Sequence, residues 1–242
     1  MTMKARKTKV RKTMSKVEEA LAVLDIQYAA FVASLPLAEK TKHPIPMDTR
    51  AWSQILVSTL TGVGGAARKK GADLADGSDV KAANFWTAID TPRFNGVAKA
   101  GTKAKSAGAI ESFDKMPHLY FVLWDTSPTT KKPRCRVWVV RPQTDEQFRA
   151  LCTSWYKDAK EKKIKSTNLQ LHPPLDKDGN DFTNKCGNLT YPLFFCAERG
   201  EDGFKMLTHD TATLKSGVCA KVDVAIPAPA KRKRSKRARK NK

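Results

Sequence analysis

The sequence predicts an α/β fold, a mixed central sheet flanked by helices, with a disordered basic arm at each end of the chain. Three observations carry this. Leu119–Trp124 (LYFVLW) and Cys135–Val140 (CRVWVV) are short, almost wholly apolar runs, the pattern of strands buried on both faces. Segments near residues 15–35, 48–61 and 144–163 repeat apolar residues at helical spacing. Lys and Arg gather at the ends, seven in residues 1–16 and nine in 231–242 with no acid in either, leaving 29 basic against 24 acidic residues between them.

In chain order, residues 1–14 form the first arm. Ser15 then caps a helix, with Glu18 three residues on and Val17, Leu21, Leu24, Tyr28 and Phe31 along one side. Pro36 is expected to follow its end. Asp48 or Thr49 caps a second helix with Trp52, Ile55, Leu56 and Leu60 on its apolar face, stopped by the glycines of Gly62–Gly65. Lys70–Asn84 reads as strand, tight turn, strand. The Lys/Ala/Gly-rich stretch Val97–Ala109 reads as a mobile loop.

The two apolar strands follow, joined by a basic, proline-bearing turn. Thr144, with Gln147 three residues on, opens a third helix that buries Phe148, Leu151, Cys152 and Trp155. Trp124, Trp138 and Trp155 lie on apolar faces and are assigned to the core. From Ser166 the chain turns rich in Asn, Pro, Gly and Thr, with short alternating strands. The division expected is an arm at 1–14, one domain at 15–227 and an arm at 228–242. The domain comprises a core at about 48–165 and a further part at about 166–227.

Composition narrows the function. Five scattered cysteines (135, 152, 186, 196 and 219), with no CxxC pair, argue against a disulfide framework or a structural zinc site. The N-terminus lacks the apolar core of a secretory signal, and no apolar stretch approaches the roughly 18–20 residues of a membrane span. A cytoplasmic protein with no membrane partner is the expectation. Arms dominated by Lys and Arg gain most by neutralising phosphates, so a nucleic acid is the expected partner, ahead of a merely solubilising tail. Lys231–Arg239 (KRKRSKRAR) fits an import signal as well as a phosphate-binding arm.

Phosphodiester hydrolysis needs charge stabilised on the phosphate and a hydroxide made near neutral pH. Mg²⁺ does both, and it demands hard oxygen ligands. Asp73, Asp79 and Lys81 provide the minimal kit of two carboxylates and an ammonium. In a strand, Asp79 and Lys81 share a face. Asp73 joins them only if the turn is a three-residue loop, Ala75-Asp76-Gly77, with glycine at its third position. That loop sets Asp73 opposite Asp79, with the Val80 carbonyl as a third metal ligand. Asp158-Ala-Lys160 and Glu161-Lys-Lys163 repeat the acid-x-Lys spacing, but on the solvated end of a helix.

The order helix, GADL…GSDVK, LYFVLW, CRVWVV resembles the PD-(D/E)xK nucleases of the restriction-endonuclease-like fold. More narrowly, the chain is similar to the MamI-type type II restriction endonucleases. The similarity runs through GGAARKKGADLADGSDVKAANFW (64–86), IDTPRFNG (89–96), RCRVWVVRP (134–142), STNLQLHPPL (166–175) and NKCGNLTYPLFF (184–195). It implies a Mg²⁺-dependent homodimer cutting both strands of a two-fold symmetric site. Asp76, Glu18 and Glu19 remain alternatives to Asp73 as first carboxylate.

The DNA-contact candidates are Lys69 and Lys70 beside the hairpin, Arg93 and Asn95 just after it, and Asn168, Gln170 and Asn184 in the amide-rich segment, whose side chains suit base edges. Two other readings stand beside this one. One is a non-catalytic, nucleoid-type DNA-binding protein. The other is a ββα-type metal site around His172, Asn180, Asn184 and Cys186.

Overall fold

A computed structural model describes residues 14–43, 45, 48–66, 71–86, 91–98, 108–175 and 178–222. Both basic ends therefore lie almost wholly outside the described residues.

Helix α1 (Lys16–Thr41) opens with a reciprocal cap. Ser15 accepts the Glu18 N–H, and Glu18 accepts the Ser15 N–H at 2.7 Å. The expected stop at Pro36 is corrected: the helix runs through it to Thr41. Proline removes one hydrogen bond from a helix interior. The buried contact of Ala38, two residues beyond, lies on the same side as Phe31 and Leu24 and keeps the helix packed. A second expectation also fails. By length and composition alone α1 is long and apolar enough to cross a membrane, a test that core helices also pass.

Helix α2 (Arg50–Thr61) starts at Thr49, while the Asp48 carboxylate accepts the Arg50 N–H at 3.0 Å. It ends at Gly62, whose φ of 78° only glycine adopts cheaply. Its buried side holds Ser53, Leu56, Val57 and Leu60, whereas Ile55, assigned to that face, is 49% exposed.

Five strands make the central sheet: β1 (Asp79–Asn84), β2 (Leu119–Thr126), β3 (Pro133–Val140), β6 (Leu193–Gly200) and β7 (Gly203–His209), in the order β1-β2-β3-β6-β7. β1 runs parallel to β2 and the other neighbours are antiparallel, so the sheet is mixed as expected. β2 and β3 are its buried middle. Between β3 and β6 lie helix α3 (Glu146–Lys160) and the two-residue strands β4 (Asp181–Phe182) and β5 (Leu189–Thr190). After β7 come a short α4 (Thr213–Ser216) and β8 (Ala220–Lys221), which joins β4 and β5 in a second, three-stranded sheet. Asp145, not Thr144, caps α3. Its carboxylate is buried and accepts both the Phe148 and the Cys219 N–H, a long-range contact that Thr144 does not make.

Each face of the central sheet carries its own core. On one face α1 and α2 bury Leu24, Leu56 and Val57 against Tyr120, Val122, Trp124 and Val137. On the other, α3, a 3-10 helix (Gly108–Lys115) and the segment from Leu169 to Tyr191 bury Phe121, Leu123 and Trp138. The three tryptophans assigned to the core are all buried. The start of the stretch expected to be mobile belongs to the core as well. Val97 and Ala98 are buried, and they pair by backbone hydrogen bonds with Leu169.

A buried ion cluster ties the amide-rich segment to the sheet. Asp125 on β2 receives Arg134 at 2.8 Å and Arg136 at 2.7 Å from β3, and all three side chains are at most 5% exposed. Arg136 also donates to the Pro174 and Gly179 carbonyls, and Arg134 pairs with Asp178.

Candidate active site

Asp79 opens β1, an edge strand of the sheet, and its N–H donates to the His118 carbonyl before β2. Alternation then sends Asp79 and Lys81 to one face and Val80 into the α1/α2 core on the other. The Val80 N–H points to the free edge. In an extended strand the carbonyl of the same residue points to the same side.

The turn before β1 has the expected three-residue form. Gly77 N–H donates to the Leu74 carbonyl at 3.1 Å, and Leu74 N–H to the Ser78 carbonyl at 3.0 Å. Gly77 has φ +94°, as the bulge position requires. The leg before the turn is not a strand paired to β1, as the hairpin predicted. Asp73 N–H donates to the same Ser78 carbonyl, and the leg bridges back to the end of α2 through Gly65 and Leu74. β1 takes β2 as its partner instead, which buries more apolar surface than a two-stranded hairpin can.

The result still sets the two carboxyls side by side. The single Val80 N–H lies between them, 2.9 Å from Asp73 Oδ2 and 3.0 Å from Asp79 Oδ1. Lys81 Nζ is 2.6 Å from Asp79 Oδ2, with both side chains at most 20% exposed. Asp73 Oδ1 accepts from Gln54 Nε2 at 2.8 Å, so both Asp73 oxygens are held. Burial, then the neighbouring Asp79, push the Asp73 carboxyl up to about 6. Burial also raises Asp79, but the hydrogen bond with Asp73, the Lys81 ammonium and the Val80 N–H outweigh it and hold Asp79 below the ordinary range. The two neighbouring carboxyls therefore ionise in sequence, Asp79 before Asp73. Two adjacent carboxylates are the hard-oxygen donors Mg²⁺ takes, so the residues fit a divalent cation.

The alternatives for the first carboxylate are engaged elsewhere or distant. Asp76 is exposed and accepts the Ser78 N–H within the turn. Glu18 caps the start of α1 and Glu19 is exposed beside it, and neither lines the cleft that Asp73 and Asp79 share. Among the described residues no three His, Cys, Asp or Glu side chains could together hold a metal ion, so the ββα-type reading lacks a ligand set.

Asp73, Asp79 and Lys81 open into a cleft of about 920 Å³ that Arg93 and Asn95 also line. They reach it because Phe94 pairs with Leu171. Asn168 and Gln170 lie half-buried on that paired segment, outside the cleft lining. The expectation for Asn184 needs correction. It is 8% exposed, its amide nitrogen donates to the Gln170 carbonyl and its oxygen accepts the Cys186 N–H, so its polar ends are consumed in holding a turn. Lys69 and Lys70 lie outside the described residues. Sequence reasoning missed Gln54, Arg50 and Tyr156, which also line the cleft. Gln54 follows Arg50 by one helical turn, a spacing visible in the sequence, but only its contact with Asp73 gives it a role.

The MamI restriction endonuclease family matches residues 36–203. The chain belongs to that family. A member, the type II restriction enzyme MamI of Microbacterium ammoniaphilum, is 31% identical over 164 residues, which is 64% of this chain and 52% of that enzyme. The chain thus spans about half the length of the curated relative it matches. No solved structure matches. The MamI family match takes in α2, the turn, all of β1 and the cleft-lining segments, and it leaves out most of α1.

Proposed function

We propose that the chain is a Mg²⁺-dependent type II restriction endonuclease that acts in the cytoplasm as a homodimer, hydrolysing phosphodiester bonds of double-stranded DNA at a palindromic site. One observation carries the reading: two carboxyls that flank one backbone N–H, with a lysine on the same strand face, lining a cleft that arginines also line. Family membership supports it.

Asp73, Asp79 and the Val80 carbonyl would hold the metal, with Gln54 and the Val80 N–H fixing the direction of the Asp73 carboxylate. A divalent cation bound there neutralises phosphate charge and eases ionisation of a water. Lys81, released from Asp79, orients the attacking water and steadies charge as it develops on the phosphate. Arg93 and Asn95 contact the DNA backbone near the scissile bond. Asn168 and Gln170 contact the DNA further along, Lys69 and Lys70 pair with phosphates, and the basic arms add salt-sensitive affinity.

Asp79→Ala and Lys81→Ala are expected to reduce plasmid cleavage in Mg²⁺ by at least about 10³-fold while DNA binding and folding persist. Wild-type cleavage by either variant would show that the site is elsewhere. The basic ends also suit a non-catalytic DNA-binding protein. DNA left intact by the wild-type chain with and without Mg²⁺ would favour that second reading.

A further inference from the structure

Helix α1 is apolar on two sides. One seam, including Ala20, Leu24, Gln27 and Phe31, is buried against α2 and β7. The opposite seam faces outward and also follows the alternating three- and four-residue spacing of a helix-pairing face. Ile26 is 58% exposed and Leu37 65%. Ala29, Ala30 and Ala33 beside them are exposed too. From Ile26 to Ala38 the helix has no charged residue, in a chain with 45 Lys and Arg. Water-facing helices of monomeric proteins do not normally leave such a stripe uncovered.

The stripe is complementary to itself. An antiparallel copy related by a two-fold axis between Ala29 and Ala30 sets Ile26 opposite Ala33 and Leu37 opposite Ala22, so each large side chain meets a small one. The same axis sets exposed Glu19 opposite exposed Lys40 at both ends, and it opposes the two helix dipoles. A lipid surface would gain from the apolar residues but not from this size and charge register.

We propose that the outward face of α1 is the docking surface for a second copy of this chain, paired antiparallel about Ala29 and Ala30. This rests on the reading that two copies act together, one for each DNA strand. A single helix pair lies at the small end of stable interfaces, which bury roughly 1,200–2,000 Å², so the association is concentration-dependent and reinforced by DNA.

Sedimentation of the full chain at about 50 µM tests it, because micromolar pairing saturates there. The wild type is expected at twice the 26.8 kDa chain mass. Ile26→Glu and Ala33→Glu are expected at the single mass with unchanged circular dichroism, nicking supercoiled plasmid where the wild type linearises it. Glu19→Lys and Lys40→Glu each weaken pairing by about 3- to 10-fold, and the double swap restores it. If Ile26→Glu and Ala33→Glu remain dimeric, this surface is wrong although the two-copy reading stands. A monomeric wild type overturns both, leaving the Mg²⁺ digest to judge the nuclease reading. Flotation of the wild type with anionic phospholipid vesicles, lost in Ile26→Glu, would assign the face to a membrane and overturn the proposal.

Discussion

Replacing Gly77 by alanine tests how the turn builds the site. Gly77 has φ +94°, where an L side chain is strained at a cost of about 1–2 kcal/mol. The added Cβ would lie 3.0 Å from the Lys115 carbonyl oxygen and 3.6 Å from Pro117 Cδ. The first contact is with backbone, so relief requires either the turn or the entry to β2 to move. That adds about 1 kcal/mol, for a total near 2–3 kcal/mol. A domain with about 5–15 kcal/mol of stability stays folded after such a loss. The displacement falls where it matters. Asp73 is tied to the turn through Ser78, and Asp79 is tied to β2 through His118. A shift of about 1 Å between the carboxyls is expected to lower cleavage about 10²-fold. Urea unfolding measures the first effect, and plasmid cleavage across a Mg²⁺ titration measures the second. Gly179→Ala is the control, because a Cβ there meets nothing within 4 Å. Gly77→Ala with the stability and the Mg²⁺ titration of that control would refute the argument.

Asp73→Asn carries a signed pH prediction. Because folding raises this carboxyl from 3.8 to about 6, its contribution to stability is full below pH 3.8 and lost as pH rises to about 6. The metal-free variant is therefore expected to be more stable than the wild type at pH 8, by about 1 kcal/mol after discounting for solvent screening, and not at pH 4, while cleavage is lost. Thermal melts at the two pH values check it, and equal gaps at both would sink it. Asp125→Asn removes the charge that two buried guanidiniums share and is expected to cost about 3–5 kcal/mol. A loss below about 1 kcal/mol in urea unfolding would mean that the cluster is not a tie between the sheet and the 174–180 segment.

Much of this protein was determined by sequence alone. Local periodicity marks β2, β3 and the buried face of α3, because each buries a continuous apolar pattern whatever its neighbours. Spacing puts Asp79 and Lys81 on one strand face, and a single glycine permits the three-residue turn that brings Asp73 beside them. What only the tertiary structure decided lies in long-range contacts. Local rules stop α1 at Pro36, but packing carries it to Thr41. Thr144 fits a cap pattern, yet Asp145 wins by reaching Cys219, which is 74 residues away. Asn184 resembles a base-reading amide until its oxygen and nitrogen are found bonded within the fold. Gln54 is unremarkable until α2 crosses the turn and places its amide on Asp73. The carboxyl pair itself belongs to both levels. Sequence supplied the residues and the turn, and the tertiary fold supplied the burial that raises the Asp73 carboxyl and the α2 contact that orients it.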